Sequence, residues 1–198
     1  MRRPFAMVAA TADEVAAHRA GDHLVPDADA VMDRAFSIDA SSDLVWPWLV
    51  QLGKQRAGWY LPLSVERFLP RGRRAIRTLD PRWQQLAVGD VIPDYGGRHE
   101  TFEVAHIDAP HALVYVSQRG RMRVSWSLTL TAGTSSETLE PTVPTRLHLR
   151  LRLGPIRRRW LVRTGGELLD ALTVAGMAAG LRERVEERAA GATTTFLA

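Results

Sequence analysis

The sequence predicts an α+β domain: a run of antiparallel strands that follows two short helices and is closed by one long helix. Three observations carry this. Met122, Val124, Trp126, Leu128 and Leu130 alternate with Arg123, Ser125, Ser127 and Thr129, the period of two expected of a strand with one buried and one wet face. Leu147, Leu149, Leu151 and Leu153 alternate in the same way with Arg146, His148, Arg150 and Arg152. After Gly154-Pro155 the pattern turns helical and stays so to about Arg188.

The elements follow in order. The first thirty residues are rich in Ala and Asp and hold one short helix candidate, Ala12 to Ala20, closed by Gly21. From Val31 to Asp39, Met32, Phe36 and Ile38 share one parity, interrupted by Arg34, which reads as a strand. Ser41 or Ser42 then offers an N-cap, and Asp43 suits the first turn of a helix. Pro47 lies too deep to be a free first-turn proline, so this helix should kink or tighten there and stop near Gly53. Two inward stripes fit it: Leu44, Trp48 and Gln51, or the more apolar Val45, Trp48, Leu49 and Leu52, which is preferred. A second helical piece, Leu63 to Phe68, is bounded by Pro62 and Pro70. Gly89-Asp90 turns the chain into a short strand around Val91 and Ile92. Strands are then expected at His99 to Asp108, His111 to Gln118, Met122 to Thr131 and Thr145 to Leu153.

The closing helix contains Gly165, Gly166, Gly176 and Gly180. Each costs about 1 kcal/mol against Ala inside a helix, so each implies either a closely approaching backbone or room left for a ligand. The tryptophan-rich stretch Leu44 to Tyr60 raises the same choice. Trp48, on the preferred stripe, reads as core, whereas Trp59, beside Gly58, could fill core or wall a space.

Composition bounds the function. A chain of 198 residues, 45% hydrophobic and 24% charged, fits one compact domain, and folding at this length buries roughly 70% of the unfolded surface. The expected division is an N-terminal extension over 1–24, partly helical or flexible, a single domain over 25–190 and a flexible tail over 191–198. Cys is absent, which excludes disulfides, thiol nucleophiles and Cys-ligated metals. The apolar run Pro4 to Ala10 is at the short limit for a secretory leader, and Ala171 to Leu181 is about half a membrane span, so a cytoplasmic protein is expected. The formal net charge is +4, and Lys54 is the only lysine among 26 basic residues. The clusters at Arg71, Arg73 and Arg74 and at Arg157 to Arg159 come without any nucleic-acid-binding motif, so they read as solvated surface.

Chemical motifs are sparse. His99, Glu100, Glu103 and His106 suggest a metal, but histidines seven apart in a strand fail the spacing of a zinc motif, and no metal or cofactor is expected. Phe102, Val104 and His106 share one parity, Thr101, Glu103 and Ala105 the other; which of the two faces inward stays open. The nucleophile elbow, the dinucleotide fingerprint and the phosphate loop are missing. Asp94, Tyr95, His99 and Tyr115 remain as general acid-base candidates.

"FSIDASSDLVWPWLVQLG" (Phe36 to Gly53), "RAGWY" (Arg56 to Tyr60) and "LAVGDVIPD" (Leu86 to Asp94), together with the element order, resemble the START-like (SRPBCC) superfamily over about residues 25 to 188. The resemblance implies a helix-grip fold, in which a curved antiparallel sheet of about six to seven strands wraps a long C-terminal helix around an apolar cavity. Its members range from lipid carriers to polyketide cyclases and hydroxylase subunits. It implies a hydrophobic or aromatic small molecule as partner, with Trp59, Tyr60, Trp83, Tyr95, His99, Tyr115, Trp126 and Leu172 as ligand-contact candidates. The catalytic residues stay unknown, and a homodimer stays open. Two alternatives stand beside ligand binding. One is a cofactor-independent polyketide cyclase or dehydratase. The other is an interaction protein that presents the face of Arg146, Arg150 and Arg152 to anionic lipid or nucleic acid.

Overall fold

A computed structural model describes residues 6–133, 144–156 and 165–195, with side chains of the last helix described to 188. Arg157 to Arg159 and most of the connection between the last two strands lie outside the described residues. The strands are β1 (Ala30–Ile38), β2 (Val91–Pro93), β3 (Thr101–Asp108), β4 (Ala112–Arg119), β5 (Met122–Ala132) and β6 (Thr145–Gly154). They form one antiparallel sheet in the order β1-β6-β5-β4-β3-β2. The helices are α1 (Ala12–Ala16), α2 (Ser42–Gln51), α3 (Leu63–Glu66) and α4 (Glu167–Thr195). The expected bounds therefore hold within about two residues for the strands, while α1 is shorter than its sequence pattern suggested and α4 ends later, at Thr195.

The inner face of the sheet carries Phe36, Ile38, Leu113, Tyr115, Leu128, Leu130, Leu147 and Leu149. Against it packs α4 through Val174, Met177, Ala178, Leu181 and Val185, all buried. In α2 the more apolar stripe is the inward one: Val45, Trp48, Leu49 and Leu52 are buried and Leu44 is exposed. Gln51 is buried as well, because its amide donates to the Thr78 carbonyl and its oxygen accepts from the Asp80 N–H.

The outer face departs from the sequence reading. An alternating Leu/Arg strand predicted a wet face there, yet Ser125, Ser127, His148 and Arg150 are buried. The cause is the N-terminal segment, which lies across the sheet. Arg150 uses every guanidinium donor it has, to Asp33 and Asp22 carboxylates and to the carbonyls of Glu14, Val15 and Ala17. Arg146 reaches Glu14 at 2.7 Å, and Arg152 donates to the carbonyls of Val25 and Pro26. The expected Arg face for anionic lipid or nucleic acid is corrected accordingly: these arginines are already engaged with their own chain.

A second correction concerns β3. The register breaks between Val104 and His106, where a bulge inserts one unpaired residue. Val104 opposes inward Tyr115 and Glu103 opposes Val116, but beyond the bulge His106 opposes Val114 and Ile107 opposes Leu113. Glu103 and His106 thus both lie on the outer face, and Phe102, Val104 and Ile107 on the inner one, an arrangement that simple alternation cannot give.

Two of the four glycines expected in the closing helix have a packing reason, whereas a Cβ on Gly165, which precedes α4, would meet nothing within 4 Å. A Cβ on Gly180 would lie 2.5 Å from the Leu61 carbonyl carbon, and one on Gly176 would lie 2.8 Å from Leu61 Cδ2. The segment that follows Trp59 is therefore laid directly on α4.

Candidate functional site

The site begins with a tight turn after α2. Gly53 and Gly58 pair across it, with Gly58 N–H donating to the Gly53 carbonyl at 2.9 Å. Gly58 adopts φ +89, and a Cβ there would sit 2.9 Å from Ala75 Cα, so only glycine lets the chain pass this close. The turn delivers Trp59 to the inner face of the sheet beside α4.

There Trp59 joins an aromatic column. It stacks on Trp126 with ring centroids 6.0 Å apart, and Trp126 stacks on Tyr115 at 5.6 Å. Phe102 stands against both Trp126 and Tyr115, and Tyr95 meets Trp59 edge-on at 6.5 Å. Cross-strand register places Tyr115 opposite Trp126 on one side and Val104 on the other, so the column is a product of the β-ladder itself. Trp59 Nε1–H donates to the Thr173 carbonyl over a long 3.4 Å, its tie to α4.

These rings border an open recess of about 40 Å³, completed by Leu52, Gly53, Ile92 and Pro93. That is room for about three waters. Its charged neighbours are Lys54 and Asp94. The Lys54 ammonium donates to the Asp94 carbonyl at 2.8 Å, and the Asp94 carboxylate pairs with Arg119. Arg119 in turn lies 5.2 Å over the Phe102 ring, placing a cation behind the column. Tyr115 is buried, and among the described residues its hydroxyl has no hydrogen-bond partner. Burial pushes its phenol well above the usual range, Arg56 opposing weakly, so the group is a neutral O–H donor. Burial also raises Tyr95.

Of the sequence-derived candidates, Trp59, Tyr95, Tyr115 and Trp126 come together at this recess. The others lie elsewhere. Tyr60 is core, its hydroxyl donating to the Trp48 carbonyl at 2.8 Å and its ring set edge-on to Trp48. Trp83 ends a 3-10 turn between the guanidinium groups of Arg56 and Arg82. His99 is exposed in the bend before β3, and Leu172 is exposed on α4. Sequence reasoning missed Phe102, whose signal was available in its inward parity with Val104. It also missed Lys54, noted only as the single lysine. Among the described residues no group of three or more His, Asp or Glu side chains is placed to hold a metal ion, and no helix is long and apolar enough to cross a membrane.

No family model matches the chain, and no curated protein sequence matches it. Solved structures do resemble it. Protein MLL2253 from Mesorhizobium loti is 17% identical, with 80% of this chain and 98% of that one covered and a TM-score of 0.46. CalU16 from Micromonospora echinospora is 18% identical over 81% of this chain and 86% of its own, with a TM-score of 0.41. A Thalictrum norcoclaurine synthase is 14% identical over 80% and 95%, with a TM-score of 0.46. With β1 next to β6, two short helices between β1 and β2, and α4 held against the inner face of a curved sheet, the chain has a helix-grip fold.

Proposed function

We propose that the chain binds a hydrophobic or aromatic small molecule, lipid-like or polyketide-like, at the aromatic column between the sheet and α4. The observation that supports it most is the buried Tyr115, its hydroxyl without a hydrogen-bond partner among the described residues, lining a recess together with Trp59, Tyr95, Phe102 and Trp126. Large rings give apolar contact area, and one polar group fixes orientation, the usual composition of a small-molecule site. At its present size the recess does not admit a ring, so the ligand displaces Trp59, which is held by the Trp126 stack, the edge contact with Tyr95 and one long hydrogen bond, and takes its place against Trp126. Stacking of this kind is worth about 0.5–1.5 kcal/mol beyond area burial.

A titration of intrinsic tryptophan fluorescence with fatty acids, isoprenoids, sterols and polycyclic aromatics tests this. Saturable quenching by one class is expected, weakened in Trp126→Leu and preserved in Trp83→Phe. Absence of saturable quenching by every class, or quenching equally lost in Trp83→Phe, contradicts it.

A second reading, a cyclase or dehydratase that needs no cofactor, is favoured by the same hydroxyl. A neutral phenol in an apolar recess can donate to a developing enolate oxygen. His99 is exposed and is not among the residues that line the recess. Tyr115→Phe should then lower turnover of a polyketone by about 10²-fold or more while ligand affinity changes little; unchanged turnover removes the reading.

A further inference from the structure

The segment from Leu63 to Arg74 carries a surface unrelated to the recess. Phe68 is 76% exposed, the most exposed of the large hydrophobic side chains described, and Leu63 and Val65 beside it are also exposed. Around them Arg67, Arg71, Arg73 and Arg74 are all exposed. The only carboxylate in this stretch, Glu66, is buried and faces the other way, onto Arg184 and Arg77. Glu183 and Glu187 on α4 are likewise taken by Arg77. Arg71 and Arg73 have no side-chain partner among the described residues, and the Arg67 guanidinium lies 4.7 Å over the Phe68 ring. Arg74 donates to the carbonyls of Leu69 and Arg67, which closes the loop and holds this presentation in place.

We propose that this face docks on an anionic lipid bilayer, with Phe68, Leu63 and Val65 entering the headgroup boundary and the four arginines pairing with lipid phosphates. The charge balance selects a negative surface: four cations stand here without a free carboxylate. The apolar side chains select a bilayer over nucleic acid, because an aliphatic pair beside a ring gains by entering hydrocarbon and gains nothing from a phosphate backbone. α3 is fastened beneath this face by the Glu66–Arg184 pair, so docking requires no refolding. The proposal is independent of what the recess binds.

Co-sedimentation of the full chain with phosphatidylcholine vesicles, with and without phosphatidylglycerol, tests it. Binding is expected only to the anionic vesicles. Each Arg→Ala at 71 and 73 should weaken it about five-fold, and Phe68→Ala should weaken it roughly ten-fold, with melting temperature unchanged because all three side chains are exposed. No binding to anionic vesicles at low salt overturns the proposal, as does binding indifferent to the arginine substitutions. Binding to single-stranded DNA that matches the anionic vesicles and ignores Phe68→Ala would also overturn it, and would assign the face to nucleic acid.

Discussion

At Arg184 five hydrogen bonds converge where solvent does not reach: to Glu66, and to the carbonyls of Leu61, Ala75, Ile76 and Gly180. Its guanidinium also lies 4.7 Å over the Tyr60 ring. One residue of α4 thereby fixes α3, the loop before it and the basic stretch after it. Removing one partner of such a pair strands the other as a buried charge, so Glu66→Ala should destabilise the fold by about 3–5 kcal/mol in urea unfolding. Replacing both, as in Glu66→Leu with Arg184→Met, should cost distinctly less than the single change. Gly180 gives a second prediction at this scale. Alanine there gains about 1 kcal/mol of helix propensity, but its Cβ meets backbone atoms of Leu61 that have no rotamer to change. Overpacking of this sort costs about 1–3 kcal/mol, so Gly180→Ala should lower the melting temperature, whereas Gly176→Ala, facing the mobile end of the Leu61 side chain, should be milder.

The element whose role differs most from its sequence pattern is the N-terminal segment, held on the outer face by carboxylates that its arginine partners keep ionised. The hydrogen bond from Arg146 is the main reason the Glu14 carboxyl falls from an ordinary 4.5 to about 2, with burial opposing. For Asp33 burial again opposes, and the His148 and Arg150 contacts outweigh it, so its pKa is lowered as well. Both groups bind protons more readily in the unfolded chain. Their stabilising contribution is therefore complete above the ordinary carboxylate range and disappears as pH falls, for Glu14 between 4.5 and 2. Amide exchange in residues 6–25 should accelerate through that window before exchange in β5 and β6 does, and simultaneous acceleration would contradict a separately held segment. Arg150→Lys should loosen the same segment at neutral pH, since an ammonium cannot reproduce five donors spread over a planar fork.

Across the whole molecule, what could be read from the sequence was what depends on neighbours in the chain. Alternation in β5 and β6, the N-cap serine before α2 and the stripe of Val45, Trp48, Leu49 and Leu52 are local patterns, and they gave the element order and hence the fold. What depends on distant partners was not legible. A leucine-arginine alternation looks wet until the carbonyls of residues 14–17 are found over Arg150. The glycines of α4 left close packing and room for a ligand equally open until Leu61 was found against Gly176 and Gly180. The β3 bulge turned His106 outward against its parity. Of the site, Tyr115 and Trp126 were recoverable as aromatic residues on strands, and Trp59 through the Gly58 turn beside it. Tyr60 and Trp83 look the same in sequence but lie elsewhere, because ring chemistry alone does not say which side of the Gly53–Gly58 turn a residue leaves on.

The proposed function requires that a small apolar molecule bind the folded chain at the aromatic column. The most direct test is the melting temperature as a function of ligand concentration across fatty acids, isoprenoids, sterols and polycyclic aromatics, for the parent chain and for Trp126→Leu. A ligand that binds only the folded form adds about 2.7 kcal/mol at a hundred times Kd. A concentration-dependent rise with one ligand class, reduced in Trp126→Leu, is expected. A melting temperature indifferent to every class, or a rise of equal size in both proteins, would contradict it.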